Sequence, residues 1–196
     1  ACNQEYVSYG RRKYSSGVPM RNAVGPMDYT PGVINTFQPE YYLSTHYNGG
    51  GIGTRAYQMA LFVLFETGLQ MLVDNPTMYY REEDCARFMA SIPLPTDETV
   101  SLAAKVGEYA IVAKRKGDKW YIGGMTNNKE KERVFELPFN FLPEGSTWKM
   151  VSYEDGVNAN KQAMHYVKRE QEVKKGQTIR VKMARNGGFA AVLSFK

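Results

Sequence analysis

The chain has 196 residues, of which 43% are hydrophobic and 23% are charged, and these values are typical of a globular protein with one large domain or two modest ones. Its formal net charge of +5 comes from 25 Lys and Arg residues set against 20 Asp and Glu residues. The basic residues form only short clusters beside Gly, Tyr or Ser, at 11–13 and 114–116, so the sequence argues against a nucleic-acid-binding face.

The chain begins with a short run that has strand propensity, followed by a polar loop. Residues 1–9 contain Glu5, and residues 10–17 are polar and basic. Glu5 therefore lies where a strand becomes a loop. Judged from these residues alone, a solvated loop end is the simplest interpretation of this carboxylate.

The next stretch, 18–32, is an apolar run that ends in polar residues and a Pro-Gly break. Asp28 and Tyr29 stand at the end of the run, directly before this break. A buried parallel strand delivers polar side chains at its carboxyl end in this way, and that end forms the working face of an α/β barrel. Asp28 and Tyr29 are therefore candidate substrate-binding residues, with a purely structural hydrogen bond at the strand end as the alternative.

Residues 35–53 form a long polar loop that is rich in aromatic side chains. It contains Tyr41, Tyr42, His46 and Tyr47 and ends in a run of glycines at 49–51. Loops of this length are more often functional than incidental, and loops over a barrel mouth carry binding residues. The sequence therefore predicts substrate contacts in this loop.

A wide apolar helix is predicted next, over 54–73. Thr54 can cap its N-terminus, apolar residues recur at helical spacing, and Pro76 is expected to stop it. So wide an apolar surface must be nearly surrounded by protein. No apolar stretch in the chain approaches the roughly 18 to 20 residues of a membrane span, because polar residues such as Arg55 and Glu66 interrupt even this one.

A second helix is predicted over 82–91, and beyond about 97 the apolar period changes from helical to two. Eight short strands with no long helix between them predict an antiparallel β-sandwich. The boundary falls near 95–97, which divides the chain into residues 1–96 and residues 97–196. The predicted strands are 100–105, 109–114, 120–125, 134–137, 148–153, 165–173, 178–183 and 189–195.

The other candidate motifs are weak when taken from the residues alone. Cys2 and Cys85 lie far apart with no His or second Cys at ligand spacing, which argues against a zinc site and leaves a structural disulfide open. His165, like His46, has no partner at a diagnostic spacing. Trp120 and Trp148 can form a sugar-stacking strip, but aromatic residues in strands are more often cross-strand core pairs.

Several sequence blocks, taken in order, resemble the C-terminal third of glycoside hydrolase family 97. The agreement in order and spacing extends over essentially the whole chain. The blocks are 25–32 (GPMDYTPG), 53–60 (GTRAYQMA), 70–76 (QMLVDNP), 97–99 (DET), 106–109 (VGEY) and 120–126 (WYIGGMT).

The resemblance implies that the chain is the C-terminal fragment of a calcium-dependent, exo-acting α-glycosidase that hydrolyses α-linked glucosides or galactosides of oligosaccharides. It implies that residues 1–96 are the end of a catalytic (β/α)8 barrel and residues 97–196 are a C-terminal β-sandwich domain. The N-terminal domain and most of the barrel would lie outside this chain, so the fragment alone is expected to be inactive. The family also implies export to the periplasm of a Gram-negative bacterium.

The resemblance gives Glu5 a specific role. The family's general acid is a Glu in a Glu-Tyr motif upstream of the Met-Asp-Tyr-Thr-Pro-Gly block, and Glu5 stands at about that place. Glycoside cleavage needs a carboxylic acid that protonates the leaving oxygen, and neighbouring carboxylates can raise the pKa of such a group. Glu5 is therefore expected to be the general acid and a possible calcium ligand, while most of the calcium ligands and the partner carboxylate are expected to lie outside this chain.

A different class of function stays open beside the glycosidase. In this alternative, the chain is a non-catalytic carbohydrate-binding or structural module whose β-sandwich does the work. Saccharide binding would then reside in residues 98–196 and would weaken when Trp120 or Trp148 is replaced by Ala. A separate module would leave the apolar face of the 54–73 helix in water, which favours the glycosidase interpretation.

Overall fold

The fold is described from a computed structural model of the chain. It describes residues 25–26, 30–42 and 50–196. The predicted site residues Glu5, Asp28 and Tyr29 lie outside these ranges, as does His46.

The described structure begins with a small parallel strand pair. Strand β1, Thr36–Phe37, pairs in parallel with β2, Gly51–Ile52, and the 3-10 helix Pro39–Tyr41 lies in the connection between them. Helix α1, Arg55–Leu64, follows β2 after two residues. A strand of a parallel pair that is followed directly by a helix has the strand–helix order of a βα unit.

Helix α1, Arg55–Leu64, is shorter than the predicted helix over 54–73. Thr54 caps it as predicted, because its side chain accepts a hydrogen bond from the Tyr57 N–H. The helix ends at Leu64 because the residues that follow favour a turn: the Thr67 hydroxyl donates to the Leu69 carbonyl at 2.9 Å, and Gly68 is a helix breaker. All ten residues of α1 are buried, which confirms that protein surrounds this helix.

Pro76 begins a helix instead of only ending one. It is the first residue of α2, Pro76–Arg81, where its fixed φ and missing N–H cost nothing. Asn75 is the N-cap and accepts from the Met78 N–H at 3.1 Å. Helix α3, Glu83–Ala90, matches the predicted second helix and buries Cys85, Phe88 and Met89 on one face.

All eight predicted strands are present in the second half of the chain. Six of them form one antiparallel sheet in the order β3-β4-β5-β10-β7-β8, and β6 pairs with β9 in a two-stranded antiparallel sheet. The last strand, β10, therefore lies in the middle of the large sheet. The bounds are β3 Glu98–Lys105, β4 Tyr109–Lys116, β5 Lys119–Thr126, β6 Glu132–Pro138, β7 Thr147–Asp155, β8 Tyr166–Lys174, β9 Thr178–Ala184 and β10 Gly188–Phe195.

The six-stranded sheet has a separate apolar cluster on each face. On one face, α1 and α3 pack against residues such as Tyr121 and Tyr153. On the other, the β6–β9 pair covers a cluster that includes Ile122 and Leu193. Strand β9 alternates as predicted, with Val181 and Met183 buried between exposed charged residues, so the β half of the chain is two packed antiparallel sheets.

Among the described residues, no helix is both long and apolar enough to cross a membrane.

Candidate functional site

The segment directly after Asp28 and Tyr29 is anchored by two other elements. The Gly32 N–H donates to Gln58 Oε1 of α1 at 3.2 Å, and the Val73 N–H donates to the Pro31 carbonyl at 3.3 Å. Gly32 has a φ of +98°, and a Cβ there would lie 3.1 Å from the Phe62 ring. Position 32 therefore combines a backbone conformation and a close approach that only glycine accommodates.

Asp74 and Tyr79 hold the same segment from the other side. Asp74 Oδ2 accepts from the Ile34 N–H at 2.9 Å, and the Tyr79 hydroxyl donates to the Gly32 carbonyl at 2.9 Å. The Tyr79 oxygen also accepts from the Asp74 N–H at 2.9 Å. Burial raises the pKa of Tyr79 to about 12, so the hydroxyl remains a donor at neutral pH.

The loop after β1 is bound to the β-sheet half of the chain. Gln38 is fully buried, and its Nε2 donates to the carbonyls of Ala159 at 3.0 Å and Arg185 at 2.9 Å. Beside it, Glu40 receives two hydrogen bonds from the Arg185 guanidinium, one of them at 2.6 Å. The Arg185 hydrogen bond holds the pKa of Glu40 below its usual value, so this ion pair persists in mild acid.

Loops of the β half also satisfy the N-terminus of α1. The Thr54 N–H donates to the Asn186 carbonyl at 2.9 Å, and the Arg55 N–H donates to the Ala163 carbonyl at 3.0 Å. The first N–H groups of a helix have no partner within it, so these carbonyls complete the helix end. Arg55 itself is buried and pairs with Glu82 at 2.8 Å.

Asp155, at the end of β7, joins the same junction. Its Oδ2 accepts from the N–H groups of Ala184 at 2.8 Å and Gly188 at 3.0 Å, and the Thr54 side chain also bonds to this carboxylate. The residue is half-buried as a whole, but its Oδ1 atom is buried with no hydrogen-bond partner in the described structure. Burial raises the pKa of Asp155 to about 7, against the opposing effect of the three hydrogen bonds.

A cavity of about 660 Å³ lies between the two halves at this junction. One wall is formed by Thr36, Phe37 and Tyr41, and the other by residues 161–165 in the connection between β7 and β8. His165 is exposed in this second wall. The aromatic loop that the sequence predicts to contact substrate thus contributes one side of a concave site.

Both tryptophans lie in the core. This agrees with the interpretation of them as core residues and not with a sugar-stacking strip. Trp120 is 2% exposed and packs on Phe141, and Trp148 is 5% exposed and packs on Phe195. The Trp148 Nε1 donates to the Ser146 hydroxyl at 2.7 Å. Neither ring offers an open face for a sugar.

The residues described in 25–26, 30–42 and 50–196 contain no group of three or more His, Cys, Asp or Glu residues that could hold a metal ion. Cys85 is a free, buried thiol, and burial raises its pKa to about 11, so it stays protonated and does not favour metal binding. The calcium expectation therefore depends on Glu5 and on residues outside the described part of the chain.

The sequence of residues 95–194 matches the family model described as "Glycosyl-hydrolase 97 C-terminal, oligomerisation". The chain belongs to glycoside hydrolase family 97. This membership confirms the resemblance read from the sequence blocks, and it fits the mostly antiparallel sheets of the second half.

Relatives of this family 97 chain extend the match beyond the β half. A retaining alpha-galactosidase from Bacteroides thetaiotaomicron is 37% identical over 179 residues, which are 91% of this chain and 27% of the relative. A probable retaining alpha-galactosidase from Streptomyces bingchenggensis is 31% identical and covers 88% of this chain and 24% of the relative. The chain therefore spans about a quarter of the length of the curated relatives that it matches.

Solved structures agree with this placement. A family 97 enzyme from Pseudoalteromonas sp. strain K8, determined in complex with panose, has a TM-score of 0.75 at 26% identity, over 88% of this chain and 27% of that one. A beta-arabinopyranosidase has a TM-score of 0.72 at 20% identity, over 97% of this chain and 28% of that one. The second likeness concerns the fold alone.

Sequence reasoning missed the residues that join the two halves. Gln38 and Arg185 act through contacts 147 positions apart in the chain, which no local pattern reveals. Asp155 had one usable signal in the sequence, since it is a carboxylate near a predicted strand end and is followed by glycine. Its contact with Gly188 is visible only in the fold. Glu5, Asp28 and Tyr29 stay predictions, because they lie outside the described residues.

Proposed function

We propose that the parent of this chain is an exo-acting α-glycosidase that hydrolyses α-linked galactosides or glucosides of oligosaccharides with retention of configuration. One observation carries the proposal, namely 37% identity with a retaining alpha-galactosidase over 91% of this chain. That relative and the second curated one favour galactosides. A family 97 enzyme was solved with panose, a glucoside, and this supports glucosides as the second proposed substrate class.

Residues 1–96 are proposed to be the end of the catalytic (β/α)8 barrel. The parallel pairing of β1 with β2 and the position of α1 directly after β2 support this. Residues 97–196 are proposed to be the C-terminal β domain. The family description also names oligomerisation, and we propose that this domain carries subunit contacts, which light scattering of the parent would detect.

Glu5 is proposed to be the acid/base catalyst. A retaining glycosidase uses one carboxylic acid to protonate the leaving oxygen, and the same group then takes a proton from the water that releases the sugar. A second carboxylate serves as nucleophile, and on the family pattern it lies outside this chain. Asp28 and Tyr29 are proposed to contact the bound sugar, at the end of the segment that Gln58 and Tyr79 anchor.

The test is Glu5→Gln in the full-length parent, assayed on two kinds of substrate. General acid catalysis contributes about a hundredfold to ten-thousandfold, so kcat/KM for raffinose or panose is expected to fall by about a thousandfold. A 2,4-dinitrophenyl glycoside needs no protonation of its leaving group, so its kcat/KM is expected to fall far less. The two rates are measured by sugar release and by dinitrophenolate absorbance.

Glu136→Gln is the matched control, since it changes an exposed carboxylate on β6 that lies far along the chain from the predicted site. It is expected to leave both rates unchanged. Equal losses on both substrates in Glu5→Gln, measured at saturating calcium, would contradict the general-acid role. A parent that cleaves neither class of glycoside would remove the glycosidase proposal.

Calcium is proposed as the cofactor of the parent, with Glu5 among its ligands. The described residues contain no cluster that could hold the ion, so the proposal has its support in the family alone. When bound, the ion would supply positive charge beside the sugar site. Calcium titration calorimetry of the parent is expected to show one tight site that Glu5→Gln weakens.

Export to the periplasm of a Gram-negative bacterium is proposed on the same family basis. The parent is expected in the osmotic-shock fraction of its native cells. Besides the oligosaccharide substrate, the proposed partner of this chain is the N-terminal part of the same polypeptide. The curated relatives extend over about four times the length of this chain.

The alternative function, a carbohydrate-binding module that works through Trp120 and Trp148, has less support. Both rings are buried in the core. Replacing either with Ala would therefore open a cavity inside the β domain and would remove no saccharide-binding surface. The glycosidase parent remains the function with the stronger support.

A further inference from the structure

We propose that the cavity between residues 36–41 and residues 161–165 binds one pyranose unit of an oligosaccharide, so that a loop of the β domain forms part of a saccharide subsite. The choice of ligand rests on the proposed glycosidase function. The cavity of about 660 Å³ falls within the range of about 300–1,000 Å³ that is usual for small-molecule sites.

The position of the cavity fits a subsite. The Arg55 N–H donates to the carbonyl of Ala163, so one wall of the cavity touches the N-terminus of α1. In a (β/α)8 barrel, the helix that follows a strand begins at the face where substrates bind. If α1 is a barrel helix, as proposed above, the cavity opens at the substrate end of the barrel.

The chemistry of the walls suits a sugar ring. Tyr41 is 53% exposed, and Phe37 and Met164 add further apolar surface. An aromatic ring packs against the apolar face of a pyranose, while hydroxyl groups need polar partners at the ring edge. Gln162 and His165 supply such partners from the opposite wall, where both are exposed.

The β-domain wall is formed before any ligand arrives. Within the connection 156–165, the Gln162 N–H donates to the Asn158 carbonyl at 2.7 Å, and the His165 N–H donates to the Gln162 carbonyl at 2.9 Å. The buried Gln38 fixes the connection from outside through the Ala159 carbonyl. A wall held in this way loses little conformational freedom on binding, which favours a specific site.

The experiment measures the full-length parent and its Tyr41→Ala and Gln162→Ala variants. For each, kcat/KM is determined on stachyose and panose and on the corresponding 4-nitrophenyl α-galactoside and α-glucoside. Binding of stachyose and panose is measured by calorimetry in the Glu5→Gln background. If the subsite holds part of the substrate, Tyr41→Ala lowers the ratio of oligosaccharide to aryl glycoside kcat/KM by about tenfold, which is the effect of losing one good aromatic contact.

Val157→Ala is the matched control, since Val157 is an exposed apolar residue of the same connection that does not line the cavity. It is expected to leave the ratio and the binding unchanged. If Tyr41→Ala weakens oligosaccharide binding but leaves the ratio unchanged, the cavity binds a sugar of a glycan other than the one being cleaved. Unchanged binding and an unchanged ratio in both variants would overturn the proposal. If the parent cleaves no glycoside, the proposed function fails, and the calorimetry alone decides whether the cavity binds saccharide.

Discussion

Asp155 is a residue through which proton binding is expected to affect the stability of this fold. It links the N-cap of α1 to the two β-strand ends at Ala184 and Gly188, and its Oδ1 is buried without a partner. Burial raises its pKa to about 7, whereas an Asp in the unfolded chain has a pKa of about 3.9. The folded chain therefore retains a proton that the unfolded chain has already lost between these two values.

The free energy of unfolding is expected to fall as the pH rises from about 4 to about 7. Because the folded pKa is the higher one, the contribution of Asp155 is fully present below about pH 4 and is lost as the pH passes about 7. A shift of this size corresponds to roughly 4 kcal/mol across the window. Urea unfolding of the chain at intervals between pH 4 and pH 8 measures the slope.

Asp155→Asn is expected to remove this part of the slope, because the amide oxygen still accepts from Ala184 and Gly188 but cannot ionise. Asp118→Asn changes an exposed carboxylate in a turn and should retain the slope. If the wild-type chain and Asp155→Asn show parallel pH profiles, Asp155 does not carry the raised pKa.

At the scale of elements, the contact of α1 with the large sheet depends on a glycine. Gly123 of β5 faces α1, and a Cβ at this position would lie 2.7 Å from both the Ala60 carbonyl oxygen and the Val63 Cβ. Real Cβ atoms do not approach backbone so closely, so a side chain here must move the helix. The absence of a side chain thus sets how closely α1 and β5 pack.

Gly123→Ala is expected to lower the free energy of unfolding by roughly 1–3 kcal/mol, the usual cost of overpacking a well-packed core. Gly68→Ala is the matched control, since a Cβ there meets nothing within 4 Å and Gly68 has no positive φ to lose. Guanidinium unfolding followed by circular dichroism compares the two. A Gly123→Ala variant as stable as Gly68→Ala would mean that α1 shifts without cost.

The sequence predicted the strands better than the helices, and the reason is physical. The apolar pattern of a strand repeats every two residues, as in β9, and clear turn residues separate one strand from the next. All eight strands are therefore predictable from the sequence. The helix predicted over 54–73 is too long because apolar residues continue beyond Leu64. In the structure the helix ends at Leu64, before the polar turn around Thr67. The pattern around Pro76 predicts only a stop, although a proline after an Asn cap also begins helices.

The candidate site is less accessible from sequence than the fold. The aromatic loop 35–53 was recognised from composition, and Tyr41 within it does line a cavity. The opposite wall, 161–165, carries no motif, because its role depends on where β7 and β8 place their connection. A wall that comes from a distant part of the chain is visible only once the two halves are packed together.

At the scale of the whole molecule, exposed apolar side chains mark where more protein is expected. Leu69 is 66% exposed and Tyr80 is 84% exposed, and both belong to the segment between α1 and α3. Large apolar side chains that stand so far out of the folded structure are candidates for contact with further protein. We expect the rest of the parent, about three quarters of the relatives' length, to cover these side chains.

The β half is expected to fold alone, since one of its two apolar clusters lies wholly within it. That cluster spans residues 111–193 and contains both tryptophans, whereas the other cluster needs α1 and α3. Residues 97–196 should therefore unfold cooperatively but at a lower urea concentration than the whole chain, because the face under α1 becomes exposed. Residues 1–95 alone should be poorly soluble, because the buried faces of α1 and α3 would then meet water.

Tryptophan fluorescence measures this directly, because Trp120 and Trp148 both report on the cluster that stays intact. A broad, non-cooperative fluorescence change in residues 97–196 would mean that the β half depends on α1 for its fold. A soluble, cooperatively folded 1–95 would in turn count against its being the end of a barrel. The two fragments therefore test the division at 96/97 from opposite sides, independently of any catalytic measurement.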